Sequence, residues 1–353
     1  MCSKVLIEGK VLCATKEYFI SYHHGKILVG ELANPQKIKQ SLRLAEGLYH
    51  FSFFERLMRL GPRCAIPYDE DNILISMDGK IYNYCLSSNT ISIEHCYRSG
   101  MKNPLSFCGH MKEDGTKVIL YGEYFWNTNK ESVAIYAKKG GLWEKVYEFP
   151  QGTITHVHNV IFDEYRNQYV ILTGDEDSES GIWIADLDFS SVNPIFKGMQ
   201  KYRSCVAFPT KNGLIYATDT PLETNYLYRL NYVDGEKTNI EMIDQIQGPC
   251  IFGCRIGDDM YISTTVEPDS TLPTLRYRIT RKLGKGVKDR NSYLLRIDSQ
   301  FEISICDVYK KDIMPMWLFQ FGNILFPYNE TDHLIVSTQS VNPRSGVSYL
   351  YQE

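Results

Sequence analysis

Thr153-Ile-Thr-His-Val-His-Asn-Val-Ile-Phe-Asp163, Asn167-Gln-Tyr-Val-Ile-Leu-Thr-Gly-Asp-Glu-Asp177 and Gly181-Ile-Trp-Ile-Ala-Asp-Leu-Asp188 follow one another in the chain and decide its reading. Each is a short apolar run broken by Asp, Gly or Asn, the punctuation of strands and turns. The core of the second run, Val170-Ile-Leu-Thr-Gly-Asp175, recurs in altered form. Tyr18-Phe-Ile-Ser-Tyr22, Asn72-Ile-Leu-Ile-Ser-Met77 and Val118-Ile-Leu-Tyr-Gly-Glu-Tyr-Phe125 come before it. Leu214-Ile-Tyr-Ala-Thr-Asp219, Met260-Tyr-Ile-Ser-Thr-Thr265 and Leu334-Ile-Val-Ser-Thr-Gln339 come after. Their starts lie roughly 44 to 54 residues apart, with one wider interval of roughly 74, the span of propeller blades. A further strand precedes several of them, as in Arg63-Cys-Ala-Ile-Pro67, Arg203-Ser-Cys-Val-Ala-Phe208 and Pro249-Cys-Ile-Phe-Gly-Cys254.

Seven such units of about four strands predict an all-β chain folded as a seven-bladed β-propeller, one domain over residues 1–353. Six blades follow instead if the N-terminal unit is incomplete. The C-terminal Val347-Ser-Tyr-Leu-Tyr351 is too short to finish a blade, so Lys4-Val-Leu-Ile-Glu8 is expected to pair with it and close the ring. Helical spacing is confined to Pro35–Glu46, where Ile38, Leu42 and Ala45 share a face, and to a turn or two within Phe51–Leu60. The wide interval holds an insertion at about 268–290, basic and glycine-containing, which reads either as a lid or anion-binding loop or as a solvated excursion.

Composition sets limits on function. The 353 residues are 43% hydrophobic and 23% charged with net charge −4, so the basic footprint of a nucleic-acid binder is missing. The 25 tyrosines suit strands and also sugar-facing surfaces. No apolar run is long enough to span a membrane, and the N-terminus lacks an export signal, so the cytoplasm is the expected compartment. The ten cysteines are scattered, with only Cys250 and Cys254 close together, and read as reduced thiols packed in strands. Phosphate loops, nucleophile elbows and His-Glu-x-x-His are absent.

In a propeller, strand ends from different blades converge around the central channel. Four carboxylates fall at or just beyond comparable strand ends: Glu123, Asp175, Asp219 and Glu267. Paired carboxylates serve as acid and base when their environments separate their pKa values. His156 and His158 are two apart on a strand and point to the same face, fit for a metal, a proton or a substrate oxygen. No cofactor is required by the sequence; a divalent ion on the His pair would find partners in Gln200, Glu123 or Asp175. Gln200 and Arg203 open the next blade, and Arg203, with Arg59, Arg63 or Arg255, is a candidate for binding a substrate carboxylate. The expectation is therefore a carbohydrate-active propeller, a hydrolase or lyase for a saccharide, with an acidic one among the candidates. Glu123, His158 and Asp175 would carry protons, and His156, Gln200, Arg203, Asp219, Glu267 and Arg63 would hold substrate. A non-catalytic module binding glycan or protein is the alternative.

A family resemblance accompanies these residues. Gly122-Glu-Tyr-Phe125, Phe149-Pro150, His156-Val-His158, Thr173-Gly-Asp-Glu-Asp177, Gln200-Lys-Tyr-Arg203, Thr218-Asp-Thr-Pro221 and Asn225-Tyr-Leu-Tyr-Arg-Leu230 look like motifs of sialidase-like, Asp-box-related bacterial propellers. Many of those look to be encoded beside surface-polysaccharide genes. Tyr136-Ala-Lys-Lys-Gly-Gly-Leu-Trp143 keeps the Gly and Trp of an Asp-box but not its Asp and Thr. The arginine triad and Tyr–Glu nucleophile of true sialidases have no residue-by-residue match. What the resemblance implies is a propeller and a carbohydrate ligand.

Overall fold

The computed structural model describes residues 3–232 and 239–352. Seven sheets account for nearly all of its strands. In the first six blades the chain runs outward through four antiparallel strands, as in the fourth: Val157–Asp163, Gln168–Thr173, Gly181–Ala185 and Val192–Lys197. The recurrent second-strand motif is the next-to-innermost strand of each sheet, and in the fourth blade Val170, Ile171 and Leu172 are fully buried. Both faces of that strand are covered because each blade packs on its neighbours. Val170, Leu172 and Ile182 of the fourth blade meet Ala207, Leu214, Tyr216 and Leu230 of the fifth. Each such aliphatic side chain contributes about 1.5–3 kcal/mol on burial, which is why an Ile/Val/Leu run marks every blade.

The seventh blade closes the ring as the terminal sequences predict. Asn323–Leu325, Ile335–Gln339 and Ser348–Gln352 are completed by the N-terminal strand Ser3–Ile7. Val5 pairs with Leu350 and Ile7 with Ser348. Ser348 Oγ also donates to Gly9 O at 2.8 Å and accepts from Val11 N at 2.9 Å, tying the last blade to the first.

One expected element changes type. The stretch Pro35–Glu46 is not a helix: Ile38–Arg43 forms the outer strand of the first blade, pairing with Lys26–Glu31. Gln40 and Leu42 alternate with exposed neighbours there, a period of two that the three- and four-residue spacing of Ile38, Leu42 and Ala45 masked. The second expectation holds, with a short helix at Ser52–Met58. The insertion carries another, Thr274–Ile279, and its base is clamped by the Lys282–Asp269 ion pair at 2.8 Å and Gly284 N–H donating to Glu267 O at 3.0 Å. Among the described residues, no helix is long and apolar enough to cross a membrane. Cys13, Cys64, Cys85, Cys108, Cys205, Cys250 and Cys254 are thiols, while Cys2 lies outside the described residues.

Candidate functional site

The first strands of all seven blades line a central channel of about 590 Å³. They run in one direction, so the residues that open them gather at one mouth. Arg63, His158, Ser204 and Cys250 begin or immediately precede such strands. The loops after the second strands reach the same mouth, bringing Asp175, Asp219 and Glu267.

Local sequence explains how the fourth blade presents its groups. Gly122 lies against Val157, where a Cβ would come within 2.3 Å of the valine side chain, so the third and fourth blades approach closely between the two histidines. Gly174, at φ +148, makes the bend into Asp175 in a conformation open mainly to glycine. Glu179 is buried and accepts Thr155 N–H at 3.0 Å, fixing the residue before His156. Thr173 Oγ1 donates to Glu179 O and accepts Trp183 Nε1–H, so the Asp175–Glu179 turn is anchored to the blade.

Three side chains then meet. His156 Nε2 and His158 Nε2 are 3.1 Å apart, and each lies 3.4 Å from an oxygen of Asp175. His158 Nδ1 donates to Ser204 O at 3.0 Å. A carbonyl only accepts, so the proton sits on Nδ1 and the Nε2 lone pair faces the cluster. Tyr124 packs over His156 with ring centroids 4.3 Å apart. His156 Nδ1 is buried without a partner. Burial lowers the His156 pKa against the pull of Asp175, so the ring stays neutral to a pH below its ordinary range.

Arg203 organises the acids. Its Nη1 donates to Asp175 O at 2.9 Å, and its Nη2 lies 2.9 Å from Asp175 Oδ1 and 3.6 Å from Asp219 Oδ2. Gln200 Nε2 donates to the same Asp175 carbonyl at 3.0 Å. Burial alone would raise the Asp175 carboxyl, but the two imidazoles beside it and the Arg203 charge hold it well below the usual carboxylate range. Its side chain still keeps 42% of its surface open to the mouth. Cys205 Sγ lies 3.4 Å from Asp219 Oδ2, whose companion Oδ1 is buried and unpartnered. Glu267 accepts Thr265 Oγ1–H at 2.6 Å, and burial followed by the Asp219 charge pushes it up to about 8. Glu267 thus holds its proton to a higher pH than an ordinary glutamate, the kind of shift that a general acid uses.

Of the expected site residues, His156, His158, Asp175, Gln200, Arg203 and Asp219 make one connected network, and Glu267 joins it through its charge coupling to Asp219 and Arg203. Glu123 does not. Its carboxylate accepts Ala134 N–H at 2.9 Å and pairs with Arg98 at 3.1 Å, outside the His156–His158–Asp175 network. Arg203, expected to clamp a substrate carboxylate, is already spanned by Asp175 and Asp219 and instead positions them. Arg63 stands apart at the neck of the channel, stacked 5.2 Å over Phe252. Arg255 is at the far end, donating to Pro209 O at 2.5 Å. Tyr124, Ser204, Cys205 and Glu179 were invisible in the sequence because nothing in their spacing distinguishes them from core or turn residues.

The rim comes from three segments. Arg59, just past the first short helix, lies over Trp317 at 5.8 Å and donates to its carbonyl at 2.8 Å. Arg278 of the insertion lies over the same ring at 4.9 Å. Tyr277 beside it has its pKa raised to about 12 by burial and then by the Glu267 charge. The basic residues of the insertion are thus partly spent on packing: Lys282 pairs Asp269, and Arg290 donates to the Arg281 and Asp312 carbonyls.

The cluster fits a divalent ion. Bonds of about 2.1 Å put neighbouring ligand atoms about 3.0 Å apart at right angles and about 3.4 Å apart in a tetrahedron. The separations among His156 Nε2, His158 Nε2 and Asp175 Oδ fall in that range. The Nδ1–H donated to Ser204 O is the outer hydrogen bond that a ligating histidine makes.

Fold and site together define a seven-bladed β-propeller with two histidines and a carboxylate converging at the mouth of its channel. No family model matches the chain, and no curated protein does. Among solved structures it is similar over 99% of its length to an oligogalacturonate lyase in complex with manganese, with TM-score 0.60, 10% identity and 90% of that chain covered. The AfRom2 CNH domain gives TM-score 0.57 at 7% identity, covering 99% of both chains. A chain of the mitotic checkpoint complex gives 0.56 at 10% identity, with 99% and 91% covered. At such identities the likeness establishes the fold alone.

Proposed function

We propose that this propeller acts on an acidic oligosaccharide by lyase-type or hydrolytic cleavage at the His156–His158–Asp175 cluster. The observation that carries the proposal is the convergence of two imidazole nitrogens and one carboxylate within 3.4 Å at an open channel mouth. The solved propeller described as an oligogalacturonate lyase with manganese makes a uronate and a divalent ion the first pair to try. In this reading His156, His158 and Asp175 hold the ion, and Arg203 keeps Asp175 ionised and oriented. The ion would supply positive charge to a substrate oxygen. Asp219 Oδ1, buried and unpartnered, is placed to accept a proton, and neutral Glu267 to give one to the leaving oxygen. Arg59 at the rim offers cationic charge to a sugar carboxylate, having no ion-pair partner among the described residues.

A panel of uronate and neutral oligomers, incubated with the protein and Mn²⁺ and read by mass spectrometry, tests this. Elimination gives fragments whose masses sum to the substrate, whereas hydrolysis adds one water. Cleavage of neutral oligomers alone would reject the acidic-substrate reading. Binding with no cleavage would make the protein a glycan-binding module.

A further inference from the structure

Below the mouth, the channel changes character. Its wall carries Phe107, Phe162, Phe208, Phe252 and Phe326, with Val160 between them. The volume of about 590 Å³ lies within the roughly 300–1,000 Å³ typical of small-molecule sites, which pair an apolar lining with a few placed polar groups. Its polar lining includes Ser106, Asn159, Glu164 and Arg255, and where the channel meets the mouth two cations, Lys10 and Arg63, stand together. Lys10 Nζ is held at the channel wall by Pro62 O at 2.9 Å and Arg63 O at 2.8 Å. The Arg63 guanidinium stacks on Phe252, and the two positive charges repel one another. Among the described residues neither has a carboxylate within ion-pair distance; the acid nearest in influence on Lys10 is Glu55, which acts more weakly than Arg63 and Cys64. Two half-buried like charges facing an apolar cavity cost free energy unless an anion joins them.

We propose that the channel binds a small amphipathic anion, its charged end on Arg63 and Lys10 and its apolar body along the phenylalanine wall. The ligand is distinct from the saccharide at the mouth, and its binding does not depend on any cleavage. Carboxylate and phosphate heads share the chemistry, and only the body length and charge are specified by the cavity. Lys10 gives a second signature. Burial first, then Arg63, push its pKa down to about 7 against weaker opposing pulls from Cys64 and Glu55. An anion beside it would raise that value, so binding near neutral pH would draw a proton from the buffer.

Calorimetric titration with decanoate, decyl phosphate, decanol and acetate, in two buffers of different ionisation enthalpy, tests the site. One equivalent of decanoate or decyl phosphate should bind with proton uptake at pH 7.5, and the preferred one identifies the head group. Decanol, which lacks the charge, and acetate, which lacks the body, should each bind at least tenfold more weakly. Arg63→Gln should weaken binding at least tenfold. Ile251→Trp, a half-buried lining position outside the packed blade cores, should block the channel while leaving the melting temperature unchanged. Equal affinity for decanoate and decanol would overturn the proposal. So would decanoate affinity unchanged by both substitutions, or no binding by either amphipathic anion.

Discussion

His158 donates its Nδ1–H to the carbonyl of Ser204 across the boundary between the fourth and fifth blades, at 3.0 Å. One hydrogen bond therefore fixes the tautomer and turns the Nε2 lone pair toward His156 and Asp175. With three potential acceptors facing one point, only a proton or a cation can satisfy them together.

Metal binding follows from that arrangement. Protein stripped with chelator should bind one Mn²⁺ or Zn²⁺ per chain in a calorimetric titration. His156→Ala, His158→Ala and Asp175→Asn should each weaken binding at least tenfold. Glu123→Gln should leave the affinity as it is, because that carboxylate serves Arg98 and the third blade. Dependence on Glu123 and not on Asp175 would contradict the geometry.

Arg203→Gln should destabilise the fold by about 3 kcal/mol, since it strands buried Asp219 beside Asp175 with no cation between them. Lys should rescue only part of the loss, because one ammonium cannot reach the Asp175 carbonyl and both carboxylates as the guanidinium does. The low Asp175 pKa gives the pH signature. A depressed carboxyl stabilises the fold above its unfolded value near about 4, and that stability disappears as pH falls through the folded value. The melting-temperature gap between wild type and Arg203→Gln should therefore narrow in strong acid. A gap that holds constant down to low pH would exclude this coupling.

Glu267 gives the opposite sign. Its folded pKa of about 8 exceeds the ordinary glutamate value, so the native state holds the proton more tightly and loses stability as pH climbs from about 4.5 to 8. Glu267→Gln, which keeps an acceptor for Thr265, removes that loss. Relative to wild type the variant should gain about 1 kcal/mol or more between pH 5 and pH 9, read as a difference in melting temperature. A flat difference would mean the carboxyl is ionised at neutrality.

Ring closure is testable in the N-terminal strand. Ile7 is fully buried in the cluster that joins the seventh blade to the first. Ile7→Ala should cost about 2–5 kcal/mol in a denaturant titration. An exposed change on the same strand, Lys4→Ala, should cost far less.

The blades were legible because burial on both faces forces a repeated Ile/Val/Leu run, and that repetition survives drift in every other position. The closing strand was legible because Val347–Tyr351 cannot form a sheet alone. Ile38–Arg43 was misread because an outer strand with one half-wet face carries a weak period-two signal that chance apolar spacing overrides. Within the site, the comparable strand ends pointed to Asp175, Asp219 and Glu267 but also to Glu123. Which side of the loop each carboxylate takes depends on neighbours such as Arg98 and Arg203, and strand pattern says nothing of those. The lone cations Lys10 and Arg63 were separated by a whole blade in sequence and meet only where the first strands of two adjacent blades pack side by side.

The most direct test of the account is turnover of a uronate oligomer by wild type, His158→Ala and Asp175→Asn, each checked for an unchanged melting temperature. The account predicts cleavage by wild type with added Mn²⁺ and a loss of at least a hundredfold in kcat/KM in both variants. Cleavage at wild-type rate in either folded variant would contradict it.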